Sequence, residues 1–262
     1  MKTVILCGGM GTRIRELSDN IPKPMVPVGN RPILWHIMKI YDHWGYRDFV
    51  LCLGYKSEVI KKYFLNYHAS VCDITVNTAD HNKVQFHDSD DLEQWQVTLA
   101  DTGLHTMTGG RVARIARYVD GDEDFMLTYG DGTADINIEE LVDFHRQHGK
   151  LVTITGVHPA GRFGELDLDG QSRVKAFAEK PQVSAGRING GFFVMKRGFI
   201  ERYLSTDRNL VLEEEPLQKC AEDGEMMSYD HDGYWQPMDT YREYKLLNDL
   251  WESGDAPWKM WK

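Results

Sequence analysis

The sequence predicts an α/β protein built on a mostly parallel mixed sheet flanked by helices, with a strand-rich second half. Short apolar runs alternate with amphipathic helical stretches to about residue 157, the rhythm of βαβ units. A glycine-rich turn follows the first apolar run directly, at the end of a strand where such sheets bind ligands. The 262 residues, 42% hydrophobic and 27% charged, suffice to bury a substantial core.

Thr3 to Cys7 reads as a buried strand, and LCGGMGTRIRELSDNIPKPM, residues 6–25, follows from its end. Gly8, Gly9 and Gly11 allow positive φ and let backbone N–H groups approach an anion without an intervening Cβ. Thr12 adds a hydroxyl, and Arg13 and Arg15 add guanidinium forks suited to phosphate. Lys23 lies between Pro22 and Pro24, a stiff mount that carries a preset cation. Taken alone, a GG-x-G turn is also compatible with a plain tight connection. Neither common phosphate fingerprint fits: Ile14 stands where the dinucleotide motif needs its third glycine, and no Gly-Lys-Ser/Thr follows.

Ile33, Leu34, Ile37, Met38 and Tyr41 recur at helical spacing, with His36 among them as a packing or surface residue. Asp48 to Leu53 reads as the second strand and Ser57 to Tyr67 as the second helix. From Asp73 to Asp101 the rhythm breaks into an extended excursion between DITVN and WQVTLAD. Its acidic run Asp88, Asp90, Asp91 and Glu93 is most simply a solvated loop. DTGLHTMTGGR then opens a helix with Val112, Ile115, Ala116 and Val119 on its apolar side. Thr106 and Arg111 are thereby expected near a helix N-terminus, which favours anions. Phe125 to Tyr129 reads as a central strand, and Gly130-Asp131-Gly132 at its end puts a hard carboxylate opposite the first glycine turn. A helix at Ile138 to His148 and a strand at Val152 to Val157 complete this half.

The second half, from about residue 158, offers GELDLD, RVKAFAE, GGFFVMK and EMMSYDHD as short strands, then a helix from Tyr241 to Ser253. No linker separates the halves, so one continuous domain over residues 1–262 is expected. Glu179 and Lys180 precede Pro181, and Asn189 sits beside glycines that permit close approach. An exposed Glu-Lys pair is otherwise ordinary surface, and core packing is the plain reading of Trp235. Trp258 and Trp261 make an aromatic tail that is costly to leave in water, so it should dock on the body or on another subunit.

GGMGTR with PKPM, and beyond them GRPILWHIMKIY, DTGLHTMTGGR, TYGDG, GRFGELD, EKP, INGGFFV, YWQPMDT and APWKMW, resemble the sugar-phosphate nucleotidyltransferases over essentially the full chain. Within them the resemblance is closest to the glucose-1-phosphate cytidylyltransferases. It implies a Rossmann-like sheet, a nucleotide-binding half over about residues 1–157, and a sugar-binding half with the C-terminal helix over about 158–262. It implies CTP and a sugar 1-phosphate as partners and Mg2+ as cofactor. Carried over residue by residue, Leu6, Cys7, Gly8, Gly9, Met10, Gly11, Thr12, Arg13, Lys23, Thr106, Arg111 and Gly130 meet the nucleotide. Tyr129, Glu179, Lys180, Asn189 and Trp235 meet the sugar phosphate, Asp131 and Asp239 hold the metal, and Arg13, Lys23 and Asp131 are catalytic. Family members of this type form homo-oligomers.

The implied reaction is attack of a sugar 1-phosphate oxygen on the α-phosphorus of CTP, giving CDP-glucose and pyrophosphate. It needs no serine, cysteine or histidine nucleophile. Another sugar or polyol phosphate, another pyrimidine nucleotide, or a non-catalytic nucleotide-sugar sensor remain alternatives. A net charge of −10 argues against nucleic acid or an anionic membrane as partner. No apolar run approaches eighteen residues, and Cys7, Cys52, Cys72 and Cys220 show no metal spacing, so a cytoplasmic protein with reduced thiols is expected.

Overall fold

A computed structural model describes residues 1–11, 21–80, 83–87, 92–159, 165–168, 174–178 and 186–261. The mixed sheet is centred on Thr3–Leu6, every residue of which is buried. This strand pairs in parallel with Asp48–Leu53 on one side and Asp124–Tyr129 on the other. Gln96–Asp101 adds a further parallel strand beyond Asp48–Leu53. These strands read as near-continuous apolar runs because helices cover both faces and neither face meets water.

Phe193–Lys196 runs antiparallel between Asp124–Tyr129 and Val152–Val157, and Met226–His231 closes that edge in parallel with Val152–Val157. The reversal has a geometric consequence. Phe193–Lys196 presents its N-terminal end where its parallel neighbours present their C-terminal ends. The turns after Leu6, Leu53, Asp101 and Tyr129 and the residues preceding Phe193 therefore share one edge of the sheet.

Two cores sandwich the sheet. One gathers Ile5, Leu51, Met126 and Val194 against Ile33, Ile37, Met38 and Tyr41 of the Ile33–His43 helix. The other sets Val4, Val50 and Leu127 against Val112, Ile115 and Phe199. The Ile138–His148 helix starts where Asn137 accepts from the Glu140 N–H, and it stops at Gly149 with φ 68°. The C-terminal helix Tyr241–Ser253 carries a capping box between Thr240 and Glu243.

The aromatic tail docks on the body. Trp258 is fully buried, stacked on Tyr234 and Trp251. His36 is buried beneath Trp251 and Trp258, its Nε2 2.9 Å from the Val28 carbonyl. Burial lowers its pKa to about 4. Trp258 Nε1 donates to His36 Nδ1 at 3.4 Å, which leaves the ring proton on Nε2.

The excursion after residue 73 contains an antiparallel ribbon of Ile74–Val76 and Val84–Phe86. Asp88, Asp90 and Asp91 lie outside the described residues. Glu93 is docked, accepting from the Tyr67 hydroxyl at 2.6 Å with the Lys39 ammonium 3.7 Å away. All four cysteines are free, and Cys7, Cys52 and Cys220 are buried. Among the described residues no helix is long and apolar enough to cross a membrane.

Candidate active site

The shared edge of the sheet opens into a cleft of about 340 Å3, within the range of small-molecule sites. Its lining runs from Leu6 through Gly9, with Gly11, on one side to Thr106, Met107, Thr108 and Arg111 on the other. Lys23, Pro24, Tyr129, Gly130, Asp131 and Asp239 form its floor and far wall.

Among the described residues the floor is organised around the Lys23 ammonium. Lys23 starts a single 3-10 turn, Lys23–Met25, whose flanking Pro22 is extended with φ −70° and ψ 148°. Its ammonium donates to Asp131 Oδ2 at 2.5 Å and to Asp239 Oδ1 at 2.7 Å. Burial by itself would depress this lysine. The charge and hydrogen bond of Asp131, followed by those of Asp239, outweigh burial and hold its pKa above the ordinary value.

Backbone pairing explains why two aspartates so distant in sequence converge. Trp235–Pro237 pairs antiparallel with Gly132–Ala134, and the ladder is extended by the Met238 N–H donating to the Asp131 carbonyl at 2.8 Å. Asp239 follows at once. Its own N–H and that of Thr240 donate to Glu243 Oε2, so the aspartate is mounted on the start of the C-terminal helix.

The glycine turn differs in detail from its expected geometry. Only Gly11 of the three has a positive φ, 61°. Gly8 serves close approach instead, since a Cβ there would meet the Arg111 guanidinium at 2.2 Å. That guanidinium is 4% exposed and faces inward. It donates to the carbonyls of Gly8, Leu53, Gly103 and Leu104 and to the Thr102 hydroxyl. Arg111 therefore clamps the turns after three parallel strands to one another, and burial lowers its pKa from the ordinary arginine value.

The helix beside it, Thr108–Arg114, is short, and its first turn is already engaged. The Met107 N–H donates to the Arg208 carbonyl at 2.7 Å and the Gly110 N–H to that of Leu210 at 3.2 Å. Thr106 is 6% exposed and its hydroxyl accepts from Arg114. Burial, then the neighbouring Cys52 and Asp131, push the Cys7 thiol well up, so it is no nucleophile.

On the far wall Asn189 Nδ2 donates to the Tyr129 hydroxyl at 3.1 Å, and Trp235 Nε1 donates to the Gly190 carbonyl at 2.8 Å. Tyr129 in turn donates to Glu213 at 2.7 Å. Sequence reasoning missed Glu213, which opens the acidic run EEE and so resembles solvated surface. It also missed Thr108, Met107 and Pro24 in the lining. Thr12, Arg13, Arg15, Glu179 and Lys180 lie outside the described residues.

The cleft thus brings an ammonium and two carboxylates together on its floor beside a glycine turn, a set suited to polyanions accompanied by a cation. A family model described as nucleotidyl transferase matches residues 2–247. The chain is 49% identical, over the whole of both chains, to the glucose-1-phosphate cytidylyltransferase of Salmonella typhi. The crystal structure of HddC from Yersinia pseudotuberculosis shares the fold at a TM-score of 0.68 and 22% identity, over 95% of this chain and 99% of that one. A UDP-glucose pyrophosphorylase complexed with UDP-glucose does so at 0.66 and 14%, over 97% and 98%.

Proposed function

The chain belongs to the nucleotidyl transferase family, and from that premise we propose that it transfers a cytidylyl group from CTP to glucose 1-phosphate, giving CDP-glucose and pyrophosphate. The full-length likeness to a glucose-1-phosphate cytidylyltransferase supports the choice of base and sugar. The observation that carries the chemistry is the clasp of the Lys23 ammonium by Asp131 and Asp239 on the cleft floor.

A phosphate oxygen of the sugar phosphate attacks the α-phosphorus of CTP. A P–O bond forms there as the bond to the bridging β-phosphate oxygen breaks, and both electrons of that bond leave with pyrophosphate. The attacking oxygen is already anionic, so the protein's task is positioning and charge neutralisation. Backbone groups of Leu6 to Gly11, with Thr12, Thr106 and Gly130, line the nucleotide. Arg111 acts for the nucleotide by holding the Gly8 turn in shape. Arg13 and Lys23 cover the triphosphate and the charge that develops on the leaving group. Tyr129, Glu179, Lys180, Asn189 and Trp235 form the sugar-phosphate side. In this reading residues 1–262 work as one domain, its halves meeting at the cleft, in a cytoplasmic homo-oligomer.

The donor set on the floor fits a divalent cation. Two carboxylate oxygens, Asp131 Oδ2 and Asp239 Oδ1, already converge on one positive group, the arrangement of hard donors in which a divalent cation is held. Asp131 and Asp239 would hold Mg2+, which when bound supplies charge neutralisation and alignment of phosphate oxygens. Lys23, kept at the floor by its stiff proline flanks, would then face the phosphates beside the ion.

Pyrophosphate release measured for CTP, UTP, dTTP and GTP against several sugar 1-phosphates tests the assignment. CTP with glucose 1-phosphate is expected to give the highest kcat/KM. A tenfold preference for another pair, about 1.4 kcal/mol in transition-state stabilisation, would reassign the substrates. Binding without pyrophosphate release would identify a sensor.

A further inference from the structure

Glu213 lies outside every motif singled out in the sequence, yet it joins the two walls of the cleft. Its Oε1 accepts from the Tyr129 hydroxyl at 2.7 Å, and its Oε2 accepts from the Thr108 hydroxyl at 2.6 Å. The direction of each bond is fixed by the next. The Leu212 N–H donates to Thr108 Oγ1 at 2.9 Å, which leaves the threonine proton to point at Glu213. At the other end the Gly191 N–H donates to Asn189 Oδ1, so the Asn189 amide donates to the Tyr129 oxygen and the phenol proton must go to Glu213. Burial, and then the Glu213 carboxylate itself, hold the Tyr129 phenol well above its ordinary pKa.

The segment leading to Glu213 is tied down by its backbone as well, through the bonds from the Met107 and Gly110 N–H groups to the carbonyls of Arg208 and Leu210. One half-buried carboxylate therefore connects the wall that carries Asn189 with the wall that carries Thr106 and Thr108. It also dictates that the Tyr129 oxygen meets a ligand only as an acceptor, because its proton is spent.

We propose that Glu213 is a positioning residue that couples the sugar-phosphate wall to the nucleotide wall, so that each substrate's subsite depends on the other through this one side chain. The proposal rests on the nucleotidyl-transfer reading above. Thr108→Val removes one arm and Tyr129→Phe the other. Each is expected to raise the KM of its own substrate most, for CTP and for glucose 1-phosphate respectively, and through Glu213 to raise the other's by about threefold as well, whereas Glu213→Ala raises both by about tenfold. Glu213→Gln keeps one acceptor and can donate to the other oxygen, so it is expected to return both KM values to within about threefold of wild type.

A residue with a merely structural role would lower the Tm in both Glu213 variants and leave the KM values alone. If Glu213→Ala fails to fold, the Thr108→Val/Tyr129→Phe double-mutant cycle reads the same coupling. KM effects that do not add support it, and effects that add overturn it. Unchanged KM values, or a change confined to one substrate in Glu213→Ala, overturn the coupling while the reaction stands. A wild-type protein that turns over no nucleotide overturns both.

Discussion

The cleft floor and the aromatic buttress each hold a titratable side chain by opposite means. Lys23 is kept charged by two carboxylates. His36 is kept neutral by burial against Trp251 and Trp258. The floor holds opposed charges that a ligand can re-pair, and the buttress holds apolar burial away from the cleft. Function and stability should therefore separate cleanly between them, and substitutions in each region can break that separation.

The largest effect is expected in the buttress. Trp258→Ala removes a fully buried indole and should cost about 3–5 kcal/mol of stability in urea unfolding, with kcat and KM near wild type below the Tm. A loss of kcat without loss of stability would show that the two regions are not separate.

Lys23→Ala should do the reverse. It is expected to lose about 2–4 kcal/mol of transition-state stabilisation, read from kcat/KM in the pyrophosphate assay. Its two carboxylates then face one another without the ammonium, so its Tm should fall in EDTA and recover in magnesium. Wild-type turnover would assign the lysine to structure alone.

Acid sharpens the comparison from the buttress side. The folded pKa of His36 lies below its unfolded value near 6.5, so the unfolded chain takes up the proton first. Its contribution is full above pH 6.5 and is lost as pH falls toward 4, about 2 kcal/mol by pH 5. His145, fully buried and also lowered to about 4 by burial and then by His148, acts with the same sign. Urea unfolding between pH 7 and 5 should show this slope, and His36→Gln should flatten it. The smallest stability effects belong to Asp131→Asn and Asp239→Asn, within about 1 kcal/mol because both pairs are partly solvated. Each should abolish the rise in Tm that magnesium gives the wild type. A retained rise in the Asp239→Asn variant would remove Asp239 from the ion.

The comparison also separates what could be read from sequence. The helices Ile33–His43, Ile138–His148 and Tyr241–Ser253 and the strands Asp48–Leu53 and Val152–Val157 lie where the pattern of apolar residues puts them, because that signal is local. Phe193–Lys196 was legible as a strand but not as the reversed one, since direction is set by partners far away in sequence. Arg111 looked like a cation on offer to a ligand. It is consumed by carbonyls because Gly8 and Gly54 leave room for it, a fact that needs three separate segments at once. Glu213 was hidden for the same reason: the first glutamate of an EEE run is told from its neighbours only by Tyr129 and Thr108. The helices Arg197–Tyr203 and Glu215–Glu222 were passed over, being too short for periodicity to register.

The clasp on the floor has a consequence for the order in which the molecule comes into being. Lys23 and Asp239 are 216 positions apart, and the contact between them closes a loop through nearly the whole chain. A chain emerging amino end first can lay down the Thr3–Leu6, Asp48–Leu53 and Asp124–Tyr129 ladder and pair Lys23 with Asp131 long before residue 239 exists. The cleft floor is complete only after the C-terminal helix has docked and its capping glutamate has seized the Asp239 N–H. Catalytic competence is thus a late, high-contact-order event in folding, and an unfinished or misdocked chain carries a sheet but no functioning centre.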